Sequence, residues 1–243
     1  MTITRAAWPE TVFVLIPSYK SAGPLHALLS RLLETAPTAN VCVVDDASFD
    51  GTDRVCDGFG VDRIEHSVNM GKGVSLCDGF RHALERGRCE WIITMDADGQ
   101  HAVEDIPAFL DYVARNPGAG MCIGARSMAP STMPLPRIVS NTLTSRILSF
   151  LTGRNIPDSQ CGFRIYSARL LEKAPCACPR FEMESEIILK AAHLNFPIGT
   201  VRVRTLYFNG PSHIAHVRDT LRWVRSIAGI WWNLRKQGIA CHE

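Results

Sequence analysis

Short β-branched runs alternate with stretches of helical periodicity through the first half of the sequence, and this alternation limits the available folds more than any other feature. "TVFVLIP" (11–17), "NVCVVDD" (40–46), "VDRIEHS" (61–67), "EWIITMD" (90–96) and "GAGMCIGAR" (118–126) read as strands. Between them, "GPLHALLSRLLETAP" (23–37), a short segment after Asp50-Gly51, "GKGVSLCDGFRHALERG" (71–87) and "VEDIPAFLDYVARNP" (103–117) read as helices. Runs that are apolar on both faces predict an α/β fold with a mostly parallel sheet covered by helices. Ligands of such sheets bind outside the carboxyl ends of the strands. That rule sets Pro17–Tyr19, Asp45–Asp46, Asp96–Asp98 and Arg126 along one edge.

The second half is less regular. It offers a long amphipathic helix at 134–153 with Arg137, Asn141, Ser145 and Arg146 as polar residues, then a loop and short strand at 156–167. A helix at 182–196, a strand at 198–208 and a last helix at 216–236 follow. No repeat or low-complexity linker interrupts the chain, so one domain over 1–243 is expected. Hydrophobic residues make up 46%, enough for a sizeable core, and a net charge of +2 gives no reason to expect nucleic acid as a partner. The basic excess gathers after Val201, at Arg202, Arg204, Arg218, Arg222, Arg225, Arg235 and Lys236. The nine cysteines lack C-x-x-C spacing and read as reduced thiols of a cytosolic protein. "MTITRAAWPE" has no apolar signal-peptide core, and no uncharged stretch reaches the ~18–20 residues of a membrane span. A soluble or peripheral protein is expected.

Within "EWIITMDADGQH" (90–101), Asp96 and Asp98 stand two apart at a strand end and point the same way in extended backbone. Two carboxylates with the Gln100 amide suit Mg2+ or Mn2+ shared with substrate phosphates; "DADG" is equally good turn chemistry. Asp46 is suited to accept hydrogen bonds from a base or ribose, or to cap the segment that follows. Lys72 sits between two glycines in "NMGKG", without the spacing of a Walker loop.

The ordered set "IPSYK", "VVDDASFDGT", "NMGKG", "MDADGQH", "GAR" and "DSQCGFRIY" resembles family-2 glycosyltransferases of the A-type fold, in their polyprenyl-phosphate branch, over roughly residues 11–210. The resemblance implies a nucleotide-sugar-binding half (11–126), an acceptor half (127–215) and a C-terminal amphipathic helix (216–243). It implies that Pro17, Tyr19, Asp46, Lys72, Asp96 and Ala97 hold a GDP- or UDP-linked sugar, and that Asp96, Asp98 and Gln100 bind Mg2+ or Mn2+. Arg126 and Arg137 would face phosphates of donor or acceptor, and Asp158 the sugar or acceptor. Asp98, Asp158, Arg126 and Arg137 are then the expected catalytic set. In "GPSHIAHVR" (210–218) His213 stands where the family has a permanent cation, with Arg218 as a substitute acceptor-phosphate cation. No Q-x-x-R-W motif of the processive branch occurs.

The expected reaction is inverting, metal-dependent transfer of a hexose to a lipid acceptor, foremost polyprenyl phosphate. Such a phosphate is anionic near neutral pH and requires cations, whereas a hydroxyl acceptor requires a base, for which Asp158 is the candidate. Another lipid or small hydroxylated acceptor, and a non-catalytic nucleotide-sugar-binding protein, are the alternatives. A nucleotidyltransferase would want a glycine-rich basic loop after the first strand, which "SYKSAGPLHALL" does not provide. The tail "LRWVRSIAGIWWNLRK" (221–236) mixes cations with tryptophans, as in helices lying at the cytoplasmic face of a membrane or packed on a domain.

Overall fold

A computed structural model describes residues 7–128, 133–176, 182–206 and 216–240, the last helix without side chains at 216–221 and 237–240. Its sheet has seven strands: β1 (Val12–Ser18), β2 (Val41–Asp45), β3 (Asp62–Glu65), β4 (Trp91–Thr94), β5 (Met121–Ala125), β6 (Arg164–Ser167) and β7 (Ile198–Arg202). Their spatial order is β3-β2-β1-β4-β6-β5-β7. All neighbours pair in parallel except at β6, which runs antiparallel to both β4 and β5. The first three strands are joined by right-sized helical crossovers, α1 (Ala22–Leu32) and α2 (Thr52–Phe59), and α3 (Lys72–Glu85) leads into β4.

β1 and β2 are buried at nearly every position, from Val12 to Ile16 and from Val41 to Asp45, because helices cover both of their faces. α3 lies directly on β1: a Cβ on Gly79 would overlap the Leu15 side chain, so the close approach depends on that glycine. On the other side of the centre, α4 (Ile106–Arg115) follows β4, and α5 (Leu135–Thr152), α6 (Ala168–Lys173), α7 (Glu182–His193) and α8 (His216–Ala240) build the second half.

Four details differ from the sequence expectations. The first helix stops at Leu32 rather than 37, because residues 34 and 35 bond back to Arg31 and Leu32 in a tightened turn before Pro37. The last strand stops at Arg202 rather than 208, with 207 and 208 outside the described residues. The short α6, capped by the Ser167 side chain on the Leu170 N–H, was not anticipated. α5 is amphipathic in an unexpected sense: Asn141, Thr144 and Ser145 are buried, while Leu135, Val139, Leu143 and Phe150 are exposed.

Candidate active site

The polar strand ends do gather on one sheet edge, and the residues around β4 and β5 open into a cavity of about 260 Å³. Asp96, Asp98, Gln100, Arg126 and Arg137 all line it, together with Lys72, His101, Glu182, Glu184, Arg222 and Trp223. The sequence reading named the first six of these, Lys72 included. It assigned no site role to the α7 glutamates, Arg222 or Trp223.

Asp96 leaves the end of β4 and meets the Lys72 ammonium at 2.6 Å; the same ammonium lies 3.1 Å from Glu184 on α7. Burial would raise the Asp96 carboxyl, but Lys72 and then the other nearby cations override it and hold it below the usual carboxylate range. Burial likewise opposes the charge of Lys72, and its two carboxylate partners push its pKa upward instead. Gly162 makes room for this pair. A Cβ there would lie 2.7 Å from Asp96 Oδ2 and 2.8 Å from Lys72 Nζ, which gives the glycine of "QCGFR" a physical reason.

Asp98 differs. It is reachable from the cavity, and its carboxyl is pushed upward by the surrounding protein first and by the like charge of Asp96 second. Its Oδ1 accepts the Gln100 N–H at 2.9 Å across the turn that Gly99 makes with φ 74°. The Gln100 carbonyl accepts from Leu206 at 3.0 Å, and His101 pairs with Thr205, so the loop after β4 is tied to the chain leaving β7. The buried His101 accepts the Asp96 N–H on Nδ1 at 3.0 Å and stacks on Phe163. Burial pulls its pKa down to about 4, so it is neutral at pH 7. The donor set fits a hard divalent cation: two carboxylates repel one another on the cavity wall beside an amide, and Asp98 is the one whose anion the chain itself stabilises least.

Arg126, at the end of β5, is clamped by Asp158 through Nε at 2.8 Å, the terminal nitrogen at 3.0 Å and the backbone N–H at 3.1 Å. Asn141 from α5 donates to the same carboxylate at 2.7 Å. Asp158 is fully buried and does not line the cavity. Burial pushes its pKa up, but the hydrogen bonds and charge of Arg126 more than reverse this and hold it low. Asp158 therefore sits behind Arg126 as its holder, not in front of the cavity as the sequence reading had it. Arg164 of "GFR" is also fully buried and donates to the carbonyls of Cys161, Glu184 and Ser159, fixing the 159–161 loop against α7.

At the neighbouring strand ends, Pro17 pairs with Val44 inside the sheet and Tyr19 is 46% exposed. The Asp46 carboxylate is buried and already occupied: it accepts from Met70 N–H (2.7 Å) and Gly71 N–H (2.8 Å), and faces His66 Nδ1 (2.7 Å). It shapes the turn that delivers Lys72. Ala97 is buried beneath the Asp96–Asp98 turn. Lys20 and Ala47, at the ends of β1 and β2, hold left-handed φ values of 52° and 60°, the backbone strain often found beside ligand sites. His213 lies outside the described residues, as does the side chain of Arg218.

α8 closes the cavity from the C-terminal side. Arg222 meets Glu182 at 2.7 Å, the Trp223 indole N–H donates to Ser185 at 2.9 Å, and Ile227 is buried. Part of the basic excess of the tail is thus neutralised internally, and Arg204 likewise pairs with Asp105. Cys42, Asp62 and His82 also converge, but the Arg86 guanidinium occupies Asp62 and burial pushes the Cys42 thiol up to about 12, so this cluster is a poor cation site.

A parallel-dominated sheet with paired acids and cations at its carboxyl edge is the frame of an α/β protein with a ligand cavity at that edge. The chain belongs to glycosyl transferase family 2, whose sequence profile matches residues 13–174. It is 32% identical over 173 residues to the polyprenol monophosphomannose synthase of Mycolicibacterium smegmatis, covering 68% of this chain and 64% of that one. It is 33% identical over 168 residues to the undecaprenyl-phosphate mannosyltransferase of Micrococcus luteus, covering 66% and 68%. The fold is the glycosyltransferase A-type. Glucosyl-3-phosphoglycerate synthase of Mycobacterium tuberculosis, solved with Mn2+, UDP and glucosyl-3-phosphoglycerate, superposes with TM-score 0.65 at 15% identity, covering 92% of this chain and 79% of that one.

Proposed function

We propose that the protein transfers a hexose from a GDP- or UDP-linked sugar to polyprenyl phosphate, with inversion. The observation that carries this reading is one cavity whose lining includes Asp96, Asp98 and Gln100 together with Arg126 and Arg137. A phosphate oxygen of the acceptor attacks the anomeric carbon, and the bond from that carbon to the nucleoside diphosphate breaks on the opposite face. The phosphate is already anionic, so no proton has to be removed. Arg126, positioned by Asp158, and Arg137 hold the phosphates. Asp98 and Gln100, with Asp96, would hold Mg2+ or Mn2+, which when bound offsets charge on the departing diphosphate. Residues 11–126 serve the donor and 127–215 the acceptor, with Pro17, Tyr19 and Lys72 on the donor side and His213 and Arg218 on the acceptor side.

A hydroxyl acceptor is less well supported, because the expected base, Asp158, is engaged by Arg126 and Asn141. The names of the mannosyltransferase relatives favour a lipid phosphate; on this reading the reaction runs at the cytoplasmic face of a membrane, with the residues of 216–236 that are not packed on α7 available for peripheral contact. Among the described residues no helix is long and apolar enough to cross a bilayer. Calorimetry with GDP and UDP, with and without Mn2+, tests the reading. One nucleotide should bind in a metal-dependent way and lose at least about tenfold in affinity in Asp98→Ala; binding indifferent to both metal and Asp98 would overturn it.

A further inference from the structure

The residue that follows β3 is a histidine whose two ring nitrogens both face carboxylates. His66 Nδ1 lies 2.7 Å from Asp46 Oδ1, just past β2, and Nε2 lies 3.2 Å from Asp78 Oδ2, on α3. The His66 and Asp46 side chains are only 7% and 5% exposed, so little water reaches the contact between them. The backbone N–H of His66 donates to the Asp45 carbonyl at 2.9 Å, which fixes where the ring can reach. A neutral imidazole carries one N–H and would turn the lone pair of its other nitrogen on a carboxylate, whereas the imidazolium donates on both sides. The other charges close by do not take its place. Arg81 meets the second oxygen of Asp78 at 2.9 Å from the exposed side of α3, the Asp45 carboxylate accepts the Ser48 N–H, and Glu65 pairs with Arg63.

We propose that His66 is held as an imidazolium and is a positioning residue for the donor, clamping the entry of α3, and with it Lys72, to the ends of β2 and β3. The clamp has two points. Through Asp46 it reaches the Met70 and Gly71 N–H groups, which the same carboxylate accepts at 2.7 and 2.8 Å, and Gly71 immediately precedes α3. Through Asp78 it grips α3 itself, further along the helix from Lys72. Lys72 in turn meets Asp96 at 2.6 Å on the cavity wall. Loss of the ring proton sets one of the two carboxylates against a lone pair, so one of the two grips opens and Lys72 is held less firmly. Donor binding is therefore strongest where the ring is charged and weakens as pH rises. The donor role rests on the transferase reading; the charge on the ring does not.

Two measurements on the full chain test this. In nitrogen NMR of the isotope-labelled protein without nucleotide, at about pH 7, both His66 ring nitrogens should resonate as protonated. His66→Gln assigns that signal among the eight histidines. Calorimetry of GDP and UDP with Mg2+ then follows donor binding from about pH 6.5 to about pH 8.5. Wild-type affinity should fall about fivefold over that range relative to His66→Gln, which should bind at the weaker level throughout. Asp78→Asn separates charge from packing. Its NH2 donates to Nε2 of a neutral ring while its oxygen still receives Arg81, so affinity should stay at the wild-type level and lose its pH dependence. A neutral ring at about pH 7, or identical pH profiles in wild type and His66→Gln, overturns the proposal. Metal-dependent binding that ignores pH would sink the role of His66 and leave the transferase reading standing. No nucleotide binding at any pH, with the ring charged, would remove the transferase reading and the donor role together.

Discussion

In the half of the sheet made by β3, β2 and β1, strand-end carboxylates are held mainly by backbone N–H groups close at hand: Asp45 receives Ser48, Asp46 receives Met70 and Gly71, and Asp50 receives Ala22 and Thr52. In the half made by β6, β5, α7 and α8, carboxylates are held by cations, mostly from distant elements: Asp158 by Arg126, Glu182 by Arg222 and Glu184 by Lys72, with Glu186 held by Lys190 one turn along the same helix. The first arrangement fixes loop shape and leaves little charge to manage. The second keeps cations beside the cavity with their ammonium and guanidinium groups oriented, at the cost of burying charge. Phosphate chemistry wants the second kind, and the cavity is found there.

If that contrast is right, the largest loss of stability follows Asp158→Ala. It leaves the Arg126 guanidinium, 15% exposed, without its fork partner; removing one member of a buried pair costs about 3–5 kcal/mol. Urea denaturation measures it. The pH dependence has a definite sign. The folded pKa of Asp158 lies below its unfolded value, so its contribution is present above about pH 4 and is lost as pH falls through the folded value. The gap between wild type and Asp158→Asn should therefore close on acidification. A gap constant down to pH 3 would mean that the pair contributes nothing through its charge.

Next comes Lys72→Met, which keeps the stem but leaves Asp96 and Glu184 facing each other without the ammonium. A loss of about 2–3 kcal/mol is expected, allowing for partial solvation through the cavity. Recovery of that loss by adding Glu184→Gln would identify carboxylate repulsion as the cause; equal losses in single and double variants would locate the effect in packing.

The contrast also explains what could be read from the sequence. Strand-end chemistry is local: "NVCVVDD" and "EWIITMD" place their carboxylates at the sheet edge by their own periodicity, and both were legible. So was Lys72, because its glycines flag the helix entry. The antiparallel insertion of β6 between β4 and β5 was not, since it joins residues far apart in the chain, Trp91 with Ser167. Glu182, Glu184 and Glu186 lie in "EMESEIILK", which reads simply as a helix, and it takes the packing of α8, α5 and α3 against α7 to bury them. Asp158 and Arg126 were both singled out, but the spacing between them says nothing of which one faces the cavity.

Gly162→Ala sharpens the comparison on the ligand side. The added methyl would push on Asp96 and Lys72, both side-chain ends, so stability should change by only about 1 kcal/mol while the carboxylate shifts. Donor-nucleotide affinity should fall about tenfold, since a displacement near 1 Å at a ligand group is enough for that. Unchanged affinity would place Asp96 outside the donor site.

The smallest effect on nucleotide affinity is expected at Asp46→Asn. Asparagine keeps one oxygen for Met70 or Gly71 but turns an NH2 toward the other N–H, so one backbone bond is lost and one donor left facing a donor. The bond to His66 survives if the imidazole takes the tautomer that accepts at Nδ1. A cost of about 1–2 kcal/mol is expected, well below Asp158→Ala, because the partners are neutral amides of a turn open to partial rehydration. Nucleotide binding is the second readout. A role confined to shaping residues 69–71 predicts that affinity falls only as far as the turn loosens, and that a glycerol or low-temperature measurement restores it. A loss of a hundredfold with the fold intact would instead mean that Asp46 leaves its backbone partners to bind ligand, and that the first half of the sheet is less settled than its hydrogen bonds imply.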